Sequence, residues 1–362
     1  MSIRDLRQKE FAELFLQNGR GILHLCPRFG KCRVGVEVIK QTRGKILIVY
    51  PDKHVKDAWI EEFEALNINT KNINFVTFKS VKHEKLDKYN LIIIDEIHLL
   101  SENQRSVFKD KEWNILGLSG TISKSTAFDL KSDLDLNILA EYPLSVAIQE
   151  GILCDYEINI ITCPLDNSVL TDRKGKMRTE LQQYNAYSSV IDRLEKEGKA
   201  TFFLRLSRMR LIQKSIAKLN LTKRLLKKFE EERTLVFCGL IDIANSLGCP
   251  VHHSRKTDDL TDFAKGGGNH LAVVKLGNVG VTYKPLNRVI INYFDSNSEN
   301  LAQKINRCMA IEYDNPEKKA SIWIVSSNEK VELGWLKKAL EFFDKKKIKY
   351  YETADSGEIV FR

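Results

Sequence analysis

The sequence holds no apolar run near the roughly 18 residues that a membrane helix needs. Its longest apolar stretches, such as Leu91–Ile94, are broken off by charge, so no membrane span is expected. The first residues carry Arg4, Asp5, Arg7, Lys9 and Glu10 without an apolar core, so no secretory signal is expected either. There is no C-x-x-C pair. The seven cysteines (Cys26, Cys32, Cys154, Cys163, Cys238, Cys249 and Cys308) are scattered and odd in number. That pattern argues against a disulfide framework or a zinc ribbon and implies reduced thiols of cytosolic type. No internal repeat and no low-complexity run beyond Gly266-Gly267-Gly268 is present. Acid is scarcer than base, 48 Asp+Glu against 57 Lys+Arg, which gives a net charge of +9 and permits a polyanionic partner.

What is present suits a globular chain. With 362 residues and 43% of them hydrophobic, the composition excludes global disorder and allows about two domains, each with its own core. Short apolar runs alternate with helical patterns. Ile46–Val49, Phe75–Phe78, Leu91–Ile94 and Ile115–Leu118 read as buried parallel strands of an α/β sheet. The pattern lapses around Leu130–Tyr142. It resumes at Ile158–Cys163, Thr234–Cys238, Leu271–Val274, Val289–Ile291 and Ser321–Val325, the strands of a second sheet. Cys154 and Cys163 flank one of these runs and are expected to be buried.

Gln182–Glu197 and Phe202–Phe229 have helical spacing, and Lys199–Phe229 contains ten basic residues and no acidic one. Such a segment is either a solvated helix face or a surface that tracks phosphates through Arg205, Arg208, Arg210 and Lys214. Leu336–Lys349, with Lys345-Lys346-Lys347 and nearby aromatics, reads as an amphipathic helix. Adjacent His252-His253 beside Asp258-Asp259 lack a third ligand at zinc spacing and are expected to be solvated.

Two motifs carry chemistry. Cys26-Pro27-Arg28-Phe29-Gly30-Lys31-Cys32 follows the apolar run Ile22–Leu25 and precedes a helical pattern. A strand, a tight turn and a helix start form an anion cradle, in which backbone N–H groups face phosphate oxygens and Lys31 neutralises their charge. The usual loop is G-x-x-x-x-G-K-[ST]. Here the first glycine is absent, and Cys32 stands where a hydroxyl would ligate Mg²⁺; a neutral thiol is a poor ligand for a hard cation. The second motif, Ile92-Ile93-Ile94-Asp95-Glu96-Ile97-His98, sets adjacent carboxylates at the end of an apolar strand. One can hold Mg²⁺ while the other activates water, as phosphoanhydride hydrolysis requires.

Asp95-Glu96-Ile97-His98 resembles the Walker B signature of superfamily 2 helicases and translocases of the D-E-x-H group. Ser119-Gly120-Thr121 resembles their coupling motif. Tyr142-Pro143-Leu144-Ser145-Val146-Ala147-Ile148-Gln149-Glu150-Gly151-Ile152-Leu153 is similar to the junction of restriction-type and branch-migration helicases. Leu235-Val236-Phe237-Cys238 resembles the first strand motif of a second RecA-like domain, Gly280-Val281-Thr282 part of motif V, and Gln303 to Ala310 motif VI.

The resemblance implies two tandem RecA-like parallel-sheet domains, over 1–155 and 156–328, with a helical insertion at about 180–230 and a short C-terminal helical extension at 329–362. It implies ATP and Mg²⁺ as cofactors. Gly30, Lys31, Cys32, Arg28 and Phe29 would surround the phosphates, and Gln8 would read adenine. Asp95 would hold the metal, with Cys32 at a degenerate ligand position. Glu96 would act on water, and Gln303 and Arg307 would reach the triphosphate from the second domain. His98, Ser119, Thr121 and Gly280 would couple hydrolysis to movement, and Ser254 and Arg255 would touch nucleic-acid phosphate. Asn306 and Ala310 replace the glycine and second arginine of motif VI, which together with Cys32 implies slow turnover or a nucleic-acid clamp without turnover. The junction motif favours DNA over RNA as partner and work such as recombination or repair, with an RNA helicase of the same fold as the alternative. A monomeric, cytoplasmic, phage-like motor follows from the resemblance, in the host cytoplasm if viral.

Overall fold

A computed structural model of the chain describes residues 1–362 except 110–111, 169–170, 174–175, 257, 275–285, 312–314, 316, 342, 354–358 and 362. Gly280, Val281 and Thr282 therefore lie outside the described residues.

The chain divides into two compact units. The first is built on Met1–Cys154; the second takes in Asp155–Leu276, Thr282–Glu312 and Glu317–Arg362. In the first unit, β1 (Gly21–Leu25), β2 (Ile46–Tyr50), β3 (Ile73–Thr77), β4 (Leu91–Asp95), β5 (Ile115–Ser119) and β6 (Ile138–Tyr142) form one sheet. Its order is β3-β2-β4-β5-β1-β6, and every pairing is parallel. β2, β4 and β5 are buried along their whole length, because helices cover both faces of the sheet. One face packs Leu23, Leu25, Ile48 and Ile93 against Val34, Val38, Trp59 and Phe63; the other packs Leu47, Val49, Ile92 and Ile94 against Ile97, Leu130 and Leu134. β6 lies where the apolar pattern lapses. It is an edge strand with largely half-exposed residues, so little in its sequence marks it as a strand.

The second unit holds an eight-stranded sheet. Its strands are β7 (Asp155–Cys163), β10 (Thr234–Cys238), β11 (Val251–His252), β12 (His270–Val274), β13 (Arg288–Ile291), β14 (Lys319–Ser327), β15 (Ile348–Thr353) and β16 (Ile359–Phe361); β8 (Thr171–Arg173) and β9 (Lys176–Arg178) form a separate hairpin. The order is β11-β12-β10-β13-β14-β7-β15-β16, parallel throughout except for the last pair.

Two expectations change here. The helix expected over Leu336–Lys349 ends at Ala339, and Ile348–Thr353 instead pairs with β7 as a sheet strand. The C-terminal stretch thus carries one helix, Lys330–Ala339, and two strands that widen the second sheet. The basic stretch is also not one helical element. Ser215 breaks it, accepting a hydrogen bond from the Lys218 N–H, so that Phe202–Gln213 and Ile216–Lys228 are separate helices. The second of these is a layer of the domain itself, with Leu221, Leu225 and Leu226 packed on Val236, Ile290 and Val325. Glu180–Lys196 and Phe202–Gln213 pair with each other over a small core of Leu165, Tyr184, Leu211 and Ile212.

Lys218, counted above among the basic residues, is only 1% exposed. Its ammonium donates to Glu332 Oε1 at 2.5 Å, and Glu332 Oε2 accepts the Ser327 N–H at 2.7 Å. This pair ties Ile216–Lys228 to Lys330–Ala339 and to β14. A buried cation without its counter-ion is strongly disfavoured, so Glu332→Ala should cost about 3–5 kcal/mol. Urea unfolding of the variant measures this; a change below about 1 kcal/mol would show that the pair is hydrated rather than structural.

Candidate nucleotide-binding and catalytic site

The site lies at the carboxyl ends of β1, β4 and β5, which neighbour one another in the order β4-β5-β1. Parallel sheets place ligand chemistry at these ends because the connecting turns and helix N-termini converge there. After β1 the chain turns through Cys26–Gly30 and enters the helix Lys31–Gln41. Gly30 has φ +98°, a left-handed conformation that calls for glycine, and a Cβ there would sit 2.5 Å from Gln8 Nε2 and displace that amide. Arg28 is also left-handed, with φ 65°. Among the described residues no side chain caps the N-terminus of the helix, which leaves its first N–H groups facing the turn.

Lys31 Nζ lies 3.1 Å from Glu96 Oε1. Gly120, in the turn after β5, closes the opposite side: a Cβ there would sit 3.1 Å from Lys31 Nζ and equally close to Pro27. Glu96 has φ 52°, a left-handed conformation that disfavours a side chain by about 1–2 kcal/mol. Strain of this kind persists where surrounding structure overrides it, and here it accompanies the contact with Lys31. Asp95 is almost fully buried; its Oδ1 accepts the Glu96 N–H at 2.9 Å. Its Oδ2 accepts the indole N–H of Trp59 at 2.9 Å, with the Cys32 thiol 3.9 Å away.

The charges set one another. Burial and the neighbouring Glu96 carboxylate push Asp95 up to about 6. Burial opposes ionisation of Glu96 too, but the Lys31 cation, by its charge and its hydrogen bond, outweighs it and holds Glu96 below the usual carboxylate range. The same exchange leaves Lys31 raised: burial disfavours its charge, and Glu96 and Asp95 overcome that. Burial, reinforced by the charge of Asp95, holds the Cys32 thiol well above its ordinary value, so at neutral pH it is a thiol and not a thiolate.

Ser119, Thr121 and His98 form the next layer. Ser119 Oγ donates to the Thr121 carbonyl at 2.8 Å, so the 2.7 Å contact between His98 Nδ1 and Ser119 Oγ has the imidazole as donor. Nδ1 is also 3.4 Å from Glu96 Oε2. Burial lowers His98 to about 4, so it is neutral at physiological pH. Glu96 Oε2 and Thr121 Oγ1 are buried and make no hydrogen bond among the described residues. The orphaned carboxylate oxygen can accept from a water and the orphaned hydroxyl can donate to a phosphate oxygen, so both, beside Lys31 and the helix start, fit a site completed by a bound, hydrated phosphate group.

The helix Ile3–Asn18 supports the loop. Gln8 Nε2 donates to the Phe29 carbonyl at 2.9 Å. Arg7 bonds Glu150, which also accepts from Tyr142 Oη at 2.7 Å, and Arg4 donates to the Ile152 carbonyl at 2.6 Å. The junction sequence Tyr142–Leu153 is thereby stitched to this helix. The Phe29 ring is fully buried against Phe11 and Tyr142, so this residue anchors the loop in the core through its side chain while its backbone stays in the loop.

In the second unit Gln303 lies on the helix Ser298–Ile305, and half-buried Arg307 lies in the turn that follows it. Between them Lys304 donates to the Tyr293 carbonyl at 3.0 Å, and burial lowers it to about 8. Ser254 and Arg255 lie exposed in the turn after β11. Asp259 accepts from the Val251 N–H at 3.2 Å and pairs with Lys256 at 2.6 Å. Arg205 bonds Glu195 at 2.6 Å, Arg208 bonds Ser188 at 3.0 Å, and Lys214 lies 3.9 Å from Asp242, while Arg210 is exposed.

Trp59 was missed by sequence reasoning. One signal points to it: Gly35, in the helix after the loop, leaves the space that the Trp59 ring occupies, and a Cβ there would meet the ring at 2.3 Å.

Comparison with solved structures decides the fold. The chain matches "The fragment structure of a putative HsdR subunit of a type I restriction enzyme" from Vibrio vulnificus YJ016 with TM-score 0.62 at 14% identity, over 94% of this chain and 66% of that one. Dbp5 of S. cerevisiae, bound to RNA and ADP BeF3, matches with TM-score 0.59 at 11% identity over 93% and 86%. The Hef helicase domain of Pyrococcus furiosus matches with TM-score 0.51 at 14% identity over 93% and 99%. The fold is the tandem RecA-like helicase fold. In sequence, the chain is 25% identical over 142 residues to "Putative ATP-dependent RNA helicase QP509L" of African swine fever virus; that stretch is 33% of this chain, which covers 28% of the relative's length. No family model matches the chain.

Lys31→Ala should abolish nucleotide binding, measured with a fluorescent ADP analogue. It also removes the cation that keeps Glu96 ionised. The folded-state pKa of Glu96 then rises above its unfolded value, so the variant should gain stability relative to the parent as the pH is lowered from neutrality. Trp59→Phe keeps an aromatic ring, though a smaller one, and removes the indole donor to Asp95. It should weaken Mg²⁺-dependent ADP binding about tenfold in calorimetry; unchanged metal dependence would show that Asp95 needs no such support.

Proposed function

We propose that the chain is an ATP-dependent nucleic-acid motor of superfamily 2, D-E-x-H group. The observation that carries this reading is the buried cluster Lys31–Glu96–Asp95 at the mouth of an uncapped helix, joined through His98 to Ser119 and Thr121. Lys31 and the helix N-terminus suit a polyphosphate. Asp95 would hold Mg²⁺, which supplies charge neutralisation on the phosphates. Glu96, kept ionised by Lys31, is an acceptor for the proton of a water nucleophile. Gln8 holds the loop against the first helix and is the residue assigned to adenine. Gln303 and Arg307, on the second unit, are assigned to the terminal phosphate.

His98 links Glu96 to Ser119. A change at the terminal phosphate thereby reaches the turn after β5, and this is the route proposed for coupling. Nucleic acid would be gripped on phosphates, with slight sequence preference and steep salt dependence. The junction sequence and the likeness to a restriction-enzyme HsdR fragment support duplex, forked or branched DNA as the track. The viral relative named as an RNA helicase and the likeness to RNA-bound Dbp5 support RNA as the second reading. Cys32 and Ala310 support slow hydrolysis.

Steady-state ATPase assays with single-stranded, duplex and forked DNA and with RNA test these readings. Stimulation by forked or duplex DNA supports the first, and stimulation by RNA alone supports the second. Glu96→Gln should cut turnover by about 10²–10⁴ while nucleotide binding persists. Cys32→Thr, which restores a hydroxyl ligand, should speed turnover several-fold. Absence of nucleotide binding by the parent protein overturns the proposal.

A further inference from the structure

Phe203 is the most exposed large hydrophobic side chain among the described residues at 79%, and Phe202 beside it is 68% exposed. Their rings meet edge to edge-on face with centroids 5.4 Å apart. Both open the helix Phe202–Gln213, whose other end buries Leu211 and Ile212 against Tyr184 and Leu165. Adjacent aromatic rings left in water contribute nothing to the core, and a pair of exposed rings suits a stacking contact with a ligand.

The rest of the helix says what. At about 100° per residue, Phe203, Ser207, Arg210 and Lys214 fall at i, i+4, i+7 and i+11, a single stripe that avoids the buried face. Phe203, Arg210 and Lys214 are exposed along it, and Ser207 is half-buried. The cations off this stripe are engaged within the unit: Arg205 with Glu195, and Arg208 with Ser188 and over the Tyr184 ring. On the stripe, Lys214 Nζ lies 3.9 Å from the solvent-exposed Asp242. The helix therefore presents an aromatic pair at one end and positive charge at the other, about 16 Å apart along its axis.

We infer that this stripe, together with Phe202, which lies about 100° off it but touches the Phe203 ring, is a binding track for a single nucleic-acid strand. Phe202 and Phe203 stack unpaired bases, and Arg210 and Lys214 take the phosphates that follow. Stacking on aromatic rings beside a basic groove is the chemistry by which single strands are held without sequence preference. A duplex hides its base faces and offers the rings nothing. The inference rests on the nucleic-acid reading above and adds a place and a strand state to it.

The test uses the full chain with Phe202→Ala and Phe203→Ala combined. Both side chains are exposed, so the helical circular dichroism should be unchanged. Binding is read with single-stranded DNA and RNA oligonucleotides carrying a fluorescent base analogue, and with a duplex. The expected result is single-strand binding weakened about tenfold or more and loss of the analogue's quenching, with duplex binding and the salt slope retained. Arg210→Gln with Lys214→Gln should instead lower the salt slope by about two. Parent and double alanine variant binding and quenching alike would overturn the track while leaving the motor reading in place. Equal loss of duplex and single-strand binding would also overturn it. A parent protein that binds no strand at all would remove the functional reading and this inference together.

Discussion

The buried charge cluster of Lys31, Glu96 and Asp95 is the constraint on which the first unit's chemistry depends. Two adjacent carboxylates at the end of a fully buried strand cannot both ionise in that surrounding without help. Lys31 supplies the help to Glu96 at 3.1 Å. Asp95 is left with two N–H donors and a raised affinity for protons. The proposed divalent cation at Asp95 and polyanion at Lys31 would each relieve a field that the protein by itself balances only in part.

The elements around the cluster are arranged to hold it. Glu96 takes up a left-handed backbone, Gly30 a left-handed turn, Gly120 packs tightly beside Lys31 and Pro27, and Gly35 admits the Trp59 ring. The helix Ile3–Asn18 clamps the loop through Gln8 and is itself pinned to the junction by Arg4 and Arg7. Each of these positions accepts a local cost. Together they fix the acid pair, the lysine and the His98–Ser119–Thr121 relay with little freedom to relax, which is the condition for electrostatic preorganisation.

The second unit shows how charge in a sequence misleads when its partners lie far along the chain. Lys218 counts toward a basic stretch free of acid, yet its ammonium is buried on Glu332, more than a hundred residues on. Arg205 is likewise neutralised by Glu195. Exposed on the helix Phe202–Gln213 and its C-cap are Arg205, held by Glu195, then Arg210, Lys214 and two phenylalanines. That residue set speaks for stacking as well as phosphate contact, a combination a simple tally of lysine and arginine does not reveal.

The sequence by itself determined the two α/β units, the strand runs buried on both faces, the loop at Gly30-Lys31 and the acid pair at Asp95-Glu96. Each is written in contiguous residues: apolar runs mark buried strands, and carboxylates directly after such a run can only fall at a strand end. The tertiary structure decided the rest. The edge strand Ile138–Tyr142 and the C-terminal strand Ile348–Thr353 exist because a neighbouring strand offers hydrogen-bonding partners, and local pattern marks neither. Trp59 reaches Asp95 across 36 residues, and Gln8 reaches Phe29 across 21. Contacts of that kind depend on which turns the sheet order brings side by side, and a linear reading contains no term for that order.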